Sequence, residues 1–277
     1  MRAGDSGAAA GRGESAEAGQ GAAGGPAAVS AAGGAGGGGA AGPAACIFDL
    51  DGTLVDSEPN YEASDRAFLA GWGIVYDEEL NRAVMGRGIK EALAIFESRF
   101  PASPYHALPV AERIRLKDEA YLAYARGRTR AFPSMLALAR GLSLRGFPLA
   151  VASGSSPEVI ALCLSEAGYD GLFGAVVSAA EVPRGKPAPD VFLEAARRLG
   201  TPPGRCLVFE DTLVGLEAAR AAGMACVLLP MPGQGERPGE EAALRVFRGG
   251  PAAASLSELL ALAEGFAASL APDSVQA

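Results

Sequence analysis

The stretch Ala45-Cys46-Ile47-Phe48-Asp49-Leu50-Asp51-Gly52-Thr53 decides how the rest of the chain is read. A short apolar run of strand character ends in two carboxylates, and Gly52 and Thr53 then mark a turn. Side chains alternate along a strand, so Asp49 and Asp51 start on the same side, at the open end of the sheet. Two acids this close are costly unless a cation neutralises them.

Working outward, the same pattern recurs. Strand-like runs at Ala45–Leu50, Leu149–Ser153, Ala175–Ser178, Cys206–Phe209 and Cys226–Leu229 alternate with helical patterns at Ser134–Leu144, Pro157–Ala167, Pro189–Leu199 and Leu213–Ala222. This is the signature of βα units on a parallel sheet. Gly168, Gly200 and Gly223 stand where the helices should stop. The interval after the first strand breaks the rhythm. It reads as helices only, at Tyr61–Gly71, Asp77–Val84, Ile89–Arg99 and Val110–Ala125. Helices inserted there would lie over the carboxyl edge of the sheet, where open α/β folds bind ligands. They are a candidate lid.

Each later strand also ends in polar residues. The second ends at Ser153-Gly154-Ser155, whose hydroxyl and backbone N–H groups suit phosphate oxygens. The third is followed by Gly185-Lys186-Pro187, which presents a lysine able to neutralise a carboxylate–phosphate pair. The fourth ends in Glu210-Asp211-Thr212, hard oxygen donors that suit octahedral Mg2+. Singly, each has a plainer reading: capping acids, a turn serine, a solvated loop lysine, acids at a helix start. Together, at four βα junctions, they form a constellation.

That constellation resembles the haloacid dehalogenase-like superfamily. Asp49 to Glu58 is similar to its first motif, Ser153 to the second, Lys186 to the third and Glu210-Asp211 to the fourth, in the family's order. The run Gly185 to Phe192 resembles the subgroup that holds small-sugar phosphatases and β-phosphoglucomutases. The resemblance implies an α/β fold, a Rossmann-like parallel sheet core with an inserted α-helical cap. The core would comprise residues 45–57 and 131–270, and the cap residues 58–130. It also implies roles. Asp49 would be the nucleophile and Asp51 the acid/base. Thr53, Ser153, Gly154 and Lys186 would bind phosphate. Asp49, the Asp51 carbonyl, Glu210 and Asp211 would hold Mg2+. The implied activity is hydrolysis of small phosphorylated metabolites, sugar or polyol phosphates, through an aspartyl-phosphate.

Other readings are weighed against the same residues. Dehalogenases of this superfamily lack an acid at the Asp51 position. Receiver-type phospho-acceptor modules, the non-catalytic alternative, are shorter and have no helical insertion. A β-phosphoglucomutase-type phosphomutase is the nearer alternative. Those enzymes carry a histidine where this chain has Tyr61, and their cap arginine falls near Ile89, flanked here by Arg87 and Lys90.

Composition sets further bounds. Lys and Arg number 24 against 32 Asp and Glu, a net charge of −8, which disfavours nucleic acid or an anionic membrane as partner. No apolar run is long enough to span a bilayer. The four cysteines show no C-x-x-C spacing and read as buried thiols of a cytoplasmic protein, expected to be a monomer. Of residues 1–45, 32 are Gly or Ala, too little side chain for a core. Residues 1–44 therefore read as a disordered extension. Deleting residues 1–42 is expected to leave the melting temperature and turnover unchanged; a loss of more than a few degrees in a thermal melt would show that this segment packs on the domain.

Overall fold

The structure, a computed structural model, describes residues 44–85, 89–232 and 235–270. The reading of residues 1–44 as an extension lies, but for Ala44, outside them, as do Gly86, Arg87 and Gly88.

Six strands form one parallel sheet: β1 (Ala45–Phe48), β2 (Leu149–Ser153), β3 (Ala175–Ser178), β4 (Cys206–Glu210), β5 (Ala225–Leu228) and β6 (Arg245–Val246). Their order is β3-β2-β1-β4-β5-β6. The chain winds outward from β1 in one direction and returns to its other side at β4. The order therefore reverses between β1 and β4, the place where such sheets open a crevice at the strands' carboxyl ends. The four main strands expected to carry polar chemistry all end on this edge.

Alternation along the strands builds two apolar layers. Cys46, Phe48, Leu149, Val151, Leu207 and Phe209 face one side, covered by α5 (Pro133–Leu144), α6 (Pro157–Glu166) and α10 (Leu256–Ser269). Ala45, Ile47, Ala150, Ala152, Cys206 and Val208 face the other, covered by α7 (Asp190–Leu199) and α8 (Leu213–Ala221). Both faces are buried, which is why these strands read as continuous apolar runs. All four cysteines are buried free thiols. Among the described residues no helix is long and apolar enough to cross a membrane.

Between β1 and β2 lie α1 (Glu58–Ala70), α2 (Glu78–Val84), α3 (Ile89–Arg99) and α4 (Val110–Ala125). They enclose a separate apolar cluster of Leu69, Ile74, Leu80, Leu93, Phe96 and Tyr105 among others. The helix expected from Tyr61 begins earlier, at Glu58, because Pro59 fits a first turn that needs no N–H donor. His106 is half-buried in a short helical turn against Tyr105. The two linkers to the sheet run side by side. Asp56 N donates to Arg130 O at 2.9 Å, and Phe132 N donates to Leu54 O at 3.0 Å.

One polar contact fixes α1 on α4. Lys117 donates to Asp65 at 2.5 Å, and both side chains are less than a tenth exposed. Burial raises the Asp65 pKa and Lys117 opposes it. Removing the ammonium alone leaves a buried, uncompensated carboxyl, at a cost of about 3–5 kcal/mol. Lys117→Met is therefore expected to lower the melting temperature by roughly 6–20 °C, and Lys117→Met/Asp65→Leu to recover most of that loss. Equal losses in the two variants would contradict the pairing.

Candidate active site

The site grows from the β1–β4 boundary. Asp49 N donates to Phe209 O at 2.9 Å, so the ladder runs one residue past β1. The chain then folds into a tight loop in which Leu54 N and Val55 N both reach Leu50 O. Gly52 is required in that loop twice over. Its φ is +78°, and a Cβ there would lie 2.4 Å from Asp211 Oδ2. Thr53, expected to bind phosphate, is fully buried and donates to Asp211 Oδ1 at 3.3 Å. Its hydroxyl orients an acid of the fourth strand end.

Lys186 reaches the same boundary from the loop before α7. Its ammonium donates to Asp49 Oδ1 at 2.5 Å and to Glu210 Oε1 at 2.8 Å, and it stands 4.8 Å over the Phe192 ring. Glu210 is held from the other side by Thr212, whose N and Oγ1 both donate to Oε2. A Cβ on Gly215 would lie 1.7 Å from Glu210 Oε1, so α8 comes this close only because that residue has no side chain.

Ser153 is fully buried at the end of β2 and accepts a bond from Ser155 N at 3.0 Å; Gly154, next to it, is exposed. Ser155 Oγ donates to Asp51 Oδ2 at 2.6 Å and lies 3.1 Å from the Tyr61 hydroxyl of α1. The structure thus gathers Asp49, Asp51, Ser153, Lys186, Glu210 and Asp211, places Thr53 behind them, and leaves Lys90 exposed on α3. Sequence reading did not single out Ser155 or Gly215. The signal for Gly215 was a glycine in the first turn of a helix that starts just after two buried acids.

The electrostatics are unbalanced. Asp49, Glu210 and Asp211 are buried, with one ligand atom from each within 4.8 Å of the others. Among the described residues, the Lys186 ammonium pairs with two of them, Asp49 and Glu210. Burial pushes Asp49 up to about 7, with Lys186 opposing and Glu210 and Asp51 adding to the rise. Burial likewise raises Asp211 well above the usual carboxylate range, reinforced by Glu210 and Asp49. Burial also works against the Lys186 ammonium, yet Asp49 and Glu210 keep its pKa above the ordinary value. A hard divalent cation fits this donor set. All three side chains offer carboxylate oxygen, and their excess negative charge is what such an ion would offset.

A family model described as haloacid dehalogenase-like hydrolase matches residues 43–223. The chain belongs to this family. Its buried acid cluster makes it a phosphoric monoester hydrolase of the haloacid dehalogenase type. It is 37% identical over 185 residues to fructose-1-phosphate phosphatase YqaB of Escherichia coli (strain K12), covering 66% of this chain and 95% of that protein. Hexitol phosphatase B of the same organism is 28% identical over 189 residues, covering 68% and 84%. Among solved structures, CbbY from Rhodobacter sphaeroides in complex with phosphate aligns with a TM-score of 0.64 at 28% identity, covering 76% of this chain and 95% of that one.

The Gly215 contact gives a direct test. Gly215→Ala is expected to displace the Glu210 carboxylate, costing about 1–3 kcal/mol of stability as overpacking does and lowering turnover of p-nitrophenyl phosphate. Gly204→Ala is the control, because a Cβ there meets nothing within 4 Å. Denaturant midpoints and turnover that match in the two variants would refute the close approach.

Proposed function

We propose that this chain hydrolyses monoesters of small sugar or polyol phosphates through an aspartyl-phosphate on Asp49, with Mg2+ as cofactor. The carrying observation is the different treatment of two neighbouring carboxylates. Asp49 is held by the Lys186 ammonium, whereas Asp51 is held by neutral hydroxyls, Ser155 on Oδ2 and the Ser57 side chain close by. One lies in the acid cluster beside an ammonium; the other is set apart from it on a hydroxyl, as a group that gives and takes a proton would be.

On this reading Asp49 attacks phosphorus in line. The bond to the leaving oxygen breaks, and Asp51 donates a proton to the alkoxide. Asp51 then takes a proton from water as that water attacks the aspartyl-phosphate, releasing phosphate and restoring Asp49. Lys186, Ser153 and the exposed backbone at Gly154 would hold phosphate oxygens. Asp49, Glu210, Asp211 and the Asp51 carbonyl would hold Mg2+, which neutralises carboxylate and phosphate charge as they meet.

The core would comprise residues 45–57 and 131–270 and the cap residues 58–130. The paired linkers at Asp56 and Arg130 support these limits. Relatives described as phosphatases of fructose 1-phosphate and hexitol phosphate support the substrate class. Hydrolysis is favoured over a mutase by Tyr61. Burial raises its phenol well above the ordinary value, so it stays protonated where the mutases have a titrating histidine. A monomer in the cytoplasm is part of the same reading, in keeping with four buried thiols.

The experiment has two arms. Turnover across phosphorylated sugars, polyols, nucleotides and glycolate should be highest for sugar or polyol esters. Acid-quenched Asp49→Asn should show neither turnover nor phosphoenzyme, while Asp51→Asn should form phosphoenzyme from p-nitrophenyl phosphate and hydrolyse it about 100-fold or more slowly. Substantial turnover by Asp49→Asn would refute the assignment, and preference for nucleotides would refute the substrate class.

A further inference from the structure

Ser155 is tied at three atoms to three parts of the molecule. Its N donates to Ser153 Oγ at 3.0 Å, at the end of β2. Its carbonyl accepts from Ser178 Oγ at 2.6 Å, at the end of β3. Ser178 is itself fixed by a capping box with Glu181. That leaves Oγ, which donates to Asp51 Oδ2 at 2.6 Å and meets the Tyr61 hydroxyl at 3.1 Å. A serine hydroxyl has one proton. Since that proton goes to Asp51, the proton between Tyr61 and Ser155 comes from Tyr61. The bonds run in one direction, from Tyr61 to Ser155 to Asp51. The Tyr61 ring is clamped in turn, stacked on Tyr121 at 4.1 Å with the Lys117 ammonium 5.3 Å from its centroid.

We infer that Ser155 and Tyr61 are the positioning residues of Asp51. They hold Oδ2, so that Oδ1, which Ser155 and Tyr61 leave unengaged, is the oxygen left for proton transfer. Because Ser155 belongs to the core and Tyr61 to the cap helix α1, the bond through which Asp51 is oriented also ties cap to core. The inference rests on the assignment of Asp51 as acid/base.

The test separates the two steps of p-nitrophenyl phosphate turnover by rapid quench. The nitrophenolate leaves without needing a proton, so its burst reports attack by Asp49, and the steady state reports hydrolysis of the phosphoenzyme. Ser155→Ala should keep a burst rate within about threefold of the unchanged protein and lower the steady-state rate about 10- to 100-fold, a share of what acid–base catalysis supplies. Tyr61→Phe, which keeps the ring stack, should show the same pattern at about 3- to 10-fold. Ser155→Thr, which restores the hydroxyl, should recover most of the rate. Asp51→Asn run beside them separates the two claims. If it slows hydrolysis while Ser155→Ala and Tyr61→Phe do not, the inference is overturned alone. If Ser155→Ala slows burst and steady state equally, or Ser155→Thr restores nothing, its effect is structural and the inference is overturned. Unchanged hydrolysis in Asp51→Asn removes the acid/base assignment and the inference with it.

Discussion

The ion pair that Lys186 makes with Asp49 and Glu210 is the contact on which the rest of the site depends. It joins the ends of two adjacent strands, and it sets one ammonium against two of the three clustered acids. Without it the neighbouring Asp49 and Glu210 carboxylates would repel each other, and nothing would oppose the burial that raises the Asp49 pKa. With it they remain only part-neutralised, which is why burial still lifts the carboxyls of Asp49 and Asp211. An acid cluster in that state is able to coordinate a divalent cation.

Topology supplies the placement. The strand order reverses between β1 and β4, and the acids stand at the two strand ends that flank the reversal. Two glycines then permit contacts that any side chain would block. Gly52 lets the first loop close on Asp211, and Gly215 lets α8 close on Glu210. The cap enters between β1 and β2 on paired linkers, which brings α1 directly over the loop that carries Asp51. Tyr61 meets Ser155 there because the insertion begins only a few residues after the first acids.

Much of this was legible in the sequence because the chemistry lies beside strong local signals. Asp49, Ser153, Lys186 and Glu210-Asp211 each follow a short apolar run, so a strand and its polar end could be read together. Helix ends were legible where glycine takes positive φ, as at Gly200. What stayed hidden depends on partners far along the chain. Ser155 lies 104 positions from Asp51, and Lys117 lies 52 from Asp65. Nothing local to Thr53 shows that its hydroxyl reaches Asp211, 158 positions on. β6 has two residues, too few for a period.

The central claim is that Asp49, Glu210 and Asp211 form one cation site whose charge the fold leaves uncompensated. Calorimetric titration of Mg2+ into the full chain, paired with thermal melts, measures it most directly. The account expects one ion per chain. It also expects stabilisation that grows with concentration, reaching about 2.7 kcal/mol at a hundredfold excess over Kd, and loss of both signals in Asp211→Asn. No saturable heat and no change in melting temperature at millimolar Mg2+ would contradict it.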